Sequence, residues 1–162
     1  MGKTILTSSQ NEFLEAFNQE KSLTDNYYWT GGTALAEFYL LHRLSEDIDL
    51  FCEKAEVNPE AIEIFLVKKQ KVLKIKKIQK TRFLGLYSYK LIYNNNEELK
   101  IDFNYYPFGR INIGKKYKNI HIDSEYDIAV NKVHTISMKP RSRDFIDIYF
   151  LVKDKGYNFR DL

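Results

Sequence analysis

The stretch Tyr28–Phe51, reading YWTGGTALAEFYLLHRLSEDIDLF, constrains the fold more than any other part of the chain. Tyr27 to Thr30 is aromatic and β-forming, which favours a strand. Gly31-Gly32 admits backbone angles closed to other residues. Thr33 is placed to cap a helix, and Leu35, Phe38 and Leu41 follow at helical spacing. Beyond Ser45 the period drops to two. Asp47, Asp49 and Phe51 then share one face of a strand, with Ile48 and Leu50 on the other.

That alternation points to chemistry. Carboxylates at i and i+2 lie roughly 7 Å apart along a strand and project the same way. Like charges held together are costly unless a cation sits between them. Oxygen ligands on a rigid strand suit Mg²⁺ (or Mn²⁺), which takes one or two carboxylates together with substrate phosphate oxygens. The turn at Gly31, Gly32 and Thr33 presents backbone N–H groups at a helix N-terminus, a ready anion site. A lone Gly-Gly is commonly only a turn, and a lone Asp-x-Asp only a solvated strand face. Joined by one helix, they indicate a nucleoside triphosphate (NTP) site. Asp47 and Asp49 are its metal ligands, and Gly31, Gly32, Thr33, Arg43 and Ser45 its phosphate-binding set.

A chain of 162 residues is expected to form a single domain, residues 1–162, and 44% apolar content is ample for its core. There is no run of about eighteen apolar residues to span a membrane. The N-terminus lacks the apolar segment of a signal peptide. A single cysteine, Cys52, forms no internal disulfide, so a cytoplasmic location with no membrane partner is expected. Net charge is only +3, so its distribution matters more than its sum.

Around the central stretch, a helix is expected over Gln10–Glu20, capped at Ser8-Ser9, and then a polar connector over Lys21–Asn26. Pro59 opens a second helix that runs to Lys69. A basic strand follows, carrying Lys74, Lys76, Lys77, Lys80 and Arg82. It is either an edge strand guarded by lysines or a strip that attracts RNA. Phe83–Tyr93 reads as one long strand, Asn94-Asn95-Asn96 as a turn and Leu99–Tyr105 as the returning strand. Lys100, Asp102 and Asn104 share one face of the latter. Tyr87, Tyr89, Tyr93, Tyr105 and Tyr106 are candidates for base stacking, although sheet packing accounts for most of them. Ser124 and Asp127 suggest a capping box opening a helix that Pro140 stops. Ser142 caps a last helix, Arg143–Lys153, apolar on nearly every side and expected to be buried.

Two blocks of this sequence resemble the polymerase-β-like nucleotidyltransferase superfamily, and more narrowly its AbiEii/AbiGii toxin family. One comprises Gly31-Gly32-Thr33 and Arg43-x-Ser45-x-Asp47-Ile48-Asp49-Leu50. The other comprises Lys132-Val133-His134-Thr135 and the run from Lys139 to Tyr149, which contains Arg143-Asp144-Phe145-Ile146-Asp147. The resemblance implies an α+β, nucleotidyltransferase-like fold, a mixed β-sheet flanked by helices. Its core would lie at about 27–106 and a C-terminal helical pair at about 124–153. It adds Lys132 and Asp144 as catalytic residues and Asp102 as a third carboxylate, for the metal or as a base. It further implies transfer of an NMP from an NTP to an RNA hydroxyl, such as a tRNA 3′ end, by the toxin of a toxin–antitoxin pair with a cognate antitoxin. Arg143 and Asp147 are expected to pair with each other in a structural role. Transfer to a small molecule or a protein, and non-catalytic nucleotide or RNA binding, remain as rivals.

Overall fold

Thr7 begins the first helix, α1 (Ser8–Asn18), by accepting the N–H of Gln10, while the Gln10 side chain accepts the N–H of Thr7. The cap is therefore Thr7 and not Ser8-Ser9, because Thr7 has the Gln three residues on that a reciprocal box needs. The computed structural model describes residues 4–158, 160 and 162. The expected connector at Lys21–Asn26 contains a one-turn helix, α2 (Lys21–Thr24). The central stretch follows as β1 (Tyr28–Thr30), α3 (Gly31–Leu35), a π-helical turn at Ala36–Leu40 and β2 (Ile48–Cys52). Leu41, left-handed at φ 52°, ends the π turn.

Helix α4 (Pro59–Lys69) carries Pro59 at its first position, with Asn58 as the cap. Next come β3 (Ile75–Phe83), β4 (Leu86–Tyr93) and β5 (Glu98–Tyr105). The supposed single strand Phe83–Tyr93 breaks at Leu84-Gly85, both at positive φ, which is a tight hairpin turn. A small hairpin, β6 (Lys116–Tyr117) and β7 (Ile120–Ile122), precedes the helical pair α5 (Glu125–Met138) and α6 (Ser142–Lys155). Ser124 caps α5 through the Asp127 N–H, but the Asp127 carboxylate turns to the N–H groups of Ile111 and Asn112, so the box is only half formed. Ser142 is the first residue of α6, and its cap position is Arg141.

The seven strands form one mixed sheet in the order β3-β4-β5-β2-β1-β7-β6. β2 runs parallel to β5, and β1 parallel to β7; the other pairs are antiparallel. One sheet face carries Leu50, Ile101, Phe103 and Tyr89, all fully buried. Phe13 and Phe17 of α1 and Phe65 of α4 pack into this layer, with Phe17 and Phe103 ring centres 6.4 Å apart. Each such side chain contributes on the order of 2 kcal/mol through burial. Period two then commits the other face to Asp49 and Asp102. Among the described residues no helix is long and apolar enough to cross a membrane.

Helix α6 departs from expectation. Phe145, Ile146, Tyr149 and Val152 are exposed, and the inward stripe is Asp144, Asp147, Ile148 and Leu151. Two carboxylates take core positions because buried cations meet them, something an apolar periodicity does not register.

Candidate active site

The centre of the polar face is a cross-strand step. Asp49 and Asp102 are direct partners in the parallel β2–β5 ladder, and Thr30 faces Asp49 from β1. Asp47 lies just before β2 on the same side. Gly31, at φ +78°, closes against this step: a Cβ there would lie 2.0 Å from Asp49 Oδ2. A Cβ on Gly32 would lie 2.4 Å from Arg43 Nη2 and 3.5 Å from Ser45 Oγ. The two glycines are thus required for the acidic step, Arg43 and Ser45 to lie directly on the backbone where α3 begins.

These groups line one cleft of about 500 Å³. Gly31, Gly32, Arg43, Ser45, Asp47, Asp49 and Asp102 form its floor, and Lys132 on α5 with Arg141 and Arg143 at the start of α6 its opposite wall. Thr33 is absent from it. The helix starts at Gly31, two residues before the expected cap, so Thr33 is fully buried and its hydroxyl donates to the Asp47 carbonyl. The Thr33 side chain accordingly ties α3 to the segment leading into β2 and does not reach the cleft.

The carboxylates differ in their surroundings. Burial, then the charges of Asp102 and Asp47, push the Asp49 carboxyl up to about 6, against the pull of Lys132 and Lys100. Asp102 accepts from Ser88 Oγ at 2.6 Å and from Lys100 Nζ at 2.5 Å. Asp47 accepts from Arg143 Nη2 at 3.3 Å. With Asp47 and Asp102 turned to these partners, no three His, Cys, Asp or Glu side chains among the described residues converge on one point to ligate a metal ion.

The helical pair carries a second ionic group. Lys132 Nζ lies 2.7 Å from Asp144 Oδ1 and 2.8 Å from Asp147 Oδ2, and both carboxylates are fully buried. Asp147 also takes a two-pronged bond from Arg43, Nε at 2.6 Å and Nη2 at 2.8 Å, and faces His42 Nε2 at 2.7 Å. The expected Arg143–Asp147 pair does not form: Arg143 turns to Asp47, and Asp147 is the hub joining α6 to Arg43 and α5. Burial works to raise both carboxyls. Lys132 and Arg141 override it at Asp144, and Arg43, His42 and Lys132 override it at Asp147, so both lie below the usual carboxylate range.

Lys74, Lys76, Lys77, Lys80 and Arg82 are not part of the cleft. Lys76, Lys77, Lys80 and Arg82 occupy β3, the edge strand, three places from β2 in the sheet, and Lys74 lies in the turn just before it. Lys80 pairs with Glu63 of α4, and both Lys80 and Arg82 lie over the Tyr87 ring, on the helix-covered face. Cys52 is buried and its thiol is pushed up to about 11, which suits a packing role.

Lys100 and Asn104 were legible as face-mates of Asp102, yet their spacing alone did not mark them as site residues. Ser88 and His42 had no local signal, since their partners arrive from distant parts of the chain.

Known proteins resemble this chain in sequence and in fold. The chain is 29% identical over 160 residues to the uncharacterized protein aq_aa25 of Aquifex aeolicus (strain VF5), covering 97% of this chain and 72% of that one. The crystal structure of JHP933 from Helicobacter pylori superposes with a TM-score of 0.64 at 24% identity, covering 94% of this chain and 71% of that one. The Megavirus polyadenylate synthase superposes with a TM-score of 0.61 at 13% identity, covering 93% of this chain and 31% of the viral protein, a likeness of fold. The family model described as nucleotidyl transferase AbiEii toxin, type IV TA system, matches residues 12–162. The chain therefore belongs to the AbiEii family of nucleotidyltransferases from type IV toxin–antitoxin systems.

Proposed function

We propose that this nucleotidyltransferase moves an NMP from an NTP to an RNA hydroxyl, such as a tRNA 3′ end, as the cytoplasmic toxin partnered by a cognate antitoxin. The observation that carries the reading is the paired Asp49–Asp102 step, with Asp47 beside it, set against the Gly31-Gly32 backbone. An all-oxygen donor set whose central carboxyl is raised by burial and then by its acidic neighbours fits a hard divalent cation. Asp47, Asp49 and Asp102 would hold Mg²⁺ or Mn²⁺. Bound there, the cation would lower the pKa of the acceptor hydroxyl and offset charge on the phosphates.

The chain's own groups do the rest. The Gly31 and Gly32 backbone and the Ser45 hydroxyl seat the phosphates. Arg43 gives three N–H groups to Asp147 and the Leu44 carbonyl, leaving one on each terminal nitrogen for a phosphate oxygen. Lys132 neutralises charge growing on the phosphates, held in place by Asp144. A carboxyl held as low as that of Asp144 is a poor proton acceptor, so its role is to orient Lys132. The acceptor oxygen bonds to the α-phosphorus, the bond to pyrophosphate breaks, and the hydroxyl proton would pass to Asp102 where that residue serves as base in place of metal ligand. RNA as acceptor is supported by the cationic wall of Arg141, Arg143 and Lys132.

Purified protein with labelled NTPs, Mg²⁺ and total RNA is expected to label an RNA species, and Asp49→Ala to abolish the label. Labelling that survives in both Asp47→Ala and Asp49→Ala would refute the metal assignment.

A further inference from the structure

Beyond the acidic step the cleft changes character. One period further along the strands, Phe51 and Asn104 are cross-strand partners on the same face as Asp49 and Asp102. Tyr106 follows where β5 ends, anchored by its N–H to the Cys52 carbonyl at 2.8 Å. Its ring centre lies 5.7 Å from that of Phe51. All three residues line the cleft and all are partly exposed. The other tyrosines considered for stacking do not reach it: Tyr87, Tyr89 and Tyr93 are buried in the sheet's helix-covered face, and Tyr105 packs against the core. Across the cleft, α5 presents Asn131 one residue before Lys132.

The polar groups here are as informative as the rings. The side-chain amides of Asn104 and Asn131 have no hydrogen-bond partner within the protein among the described residues. Elsewhere around the cleft Asp47, Asp102, Arg43 and Lys132 are each engaged by another side chain. An amide offers two N–H donors and a carbonyl acceptor, the complement of a base edge. An aromatic face stacks on any base. We infer that Phe51, Tyr106, Asn104 and Asn131 form a nucleobase subsite, with the rings as stacking platform and the two amides as readers of the base edge. This rests on the nucleotidyl-transfer reading, and deepens it by separating a sequence-blind phosphate end of the cleft from a base-reading end. The base that occupies it belongs either to the incoming NTP or to the acceptor's terminal nucleotide.

Titration calorimetry with Mg²⁺ would measure binding of the four NTPs and of inorganic tripolyphosphate to wild-type protein, Tyr106→Ala, Tyr106→Phe and Asn104→Ala, beside the KM for acceptor RNA. With the NTP base in the subsite, Tyr106→Ala weakens NTP binding by about tenfold or more. Tyr106→Phe keeps the wild-type affinity, tripolyphosphate binding is unchanged, and Asn104→Ala narrows the spread among the four NTPs. With the acceptor's base there, the same substitutions spare NTP affinity and raise the KM for RNA by a similar factor, with Tyr106→Phe again silent. NTP affinities and acceptor KM that both ignore Tyr106→Ala and Asn104→Ala overturn the subsite alone. Wild-type protein that binds neither tripolyphosphate nor any NTP overturns the transfer reading and the subsite with it.

Discussion

Two acidic clusters face each other across the cleft, and they are built on opposite principles. On the strands, Asp47, Asp49 and Asp102 crowd together, and the central carboxyl is pushed up to about 6. On the helices, Asp144 and Asp147 are more deeply buried, yet both lie below the ordinary carboxylate range because Lys132, Arg43, Arg141 and His42 surround them. Burial pushes all three of these carboxyls up; at Asp49 neighbouring carboxylates add to it, while at Asp144 and Asp147 neighbouring cations override it. The helical cluster is internally neutralised, clamping α5 and α6 against the Arg43 loop and holding Lys132 and Arg43 in position. The strand cluster carries a surplus of negative charge that the protein has not cancelled, which supports the proposed cation site.

The sharpest way to break this comparison is to remove one acid from each side. Asp147→Ala leaves Arg43, Lys132 and His42 facing a void, and stranding buried charge costs about 3–5 kcal/mol. In a chain of this size that lowers the melting temperature by roughly 10 °C. Asp49→Asn removes a repelling charge while keeping the shape. It is expected to raise stability at pH 7 by about 1–2 kcal/mol, even as nucleotidyl transfer falls by about a thousandfold or more. Thermal melts beside the labelling assay read both arms. A loss of stability in Asp49→Asn matching that in Asp147→Ala would show that both clusters are structural.

A smaller effect separates the clusters by pH. The folded Asp49 carboxyl sits near 6, above its unfolded value, so in this window the folded state binds more protons than the unfolded. Stability is then expected to fall as pH rises from about 4 to about 6, where the unfolded and folded forms ionise in turn. Asp144 and Asp147 act in the opposite sense. Their depressed carboxyls contribute stability that is fully present above about pH 4 and is lost below it, as pH falls toward the folded values. Urea titrations from pH 3 to pH 8 are expected to show both limbs in the wild type and only the acidic limb in Asp49→Asn. Added Mg²⁺ would stabilise the wild type more at pH 7 than at pH 5, because protons compete for its ligand.

The strand side of this contrast was largely legible in the residues themselves, whereas on the helix side Lys132 and Asp144 came only from the family resemblance and the place of Asp147 from neither. Period two alone put Asp47 and Asp49 on one face and Ile48 and Leu50 on the other, and Gly31-Gly32 announced a close approach of backbone and side chain. The Asp49–Asp102 register needed a parallel pairing between strands separated by α4, β3 and β4, which no local pattern specifies. Asp147 is paired by local spacing with Arg143, which stands one turn away. Its actual partner, Arg43, is 104 positions distant in sequence, so only the tertiary fold brings them together. Helix α6 was read as buried on all sides for the same reason: apolar periodicity counts Phe145 and Tyr149 inward and has no means of placing two aspartates in the core. Thr33 was misplaced by a smaller error, since the helix starts on the glycines themselves.

The smallest expected effect concerns charge outside both clusters. Lys76 and Lys77 lie on the edge strand and Lys74 in the turn leading into it, all beyond the cleft, and Lys80 is already paired with Glu63. Exposed pairs and isolated surface charges contribute about 0–1 kcal/mol. Changing Lys74, Lys76 and Lys77 together to Gln is therefore expected to alter RNA transfer by no more than about twofold. Its visible consequence lies elsewhere. Lysines on an edge strand discourage pairing with a second chain, so the triple variant is expected to self-associate at concentrations where the wild type stays monodisperse, which light scattering would detect. A tenfold loss of transfer in a monodisperse triple variant would reverse the assignment. It would mean that the acceptor is gathered by the sheet edge, and that the unbalanced charge governing RNA lies on β3 as well as in the cleft.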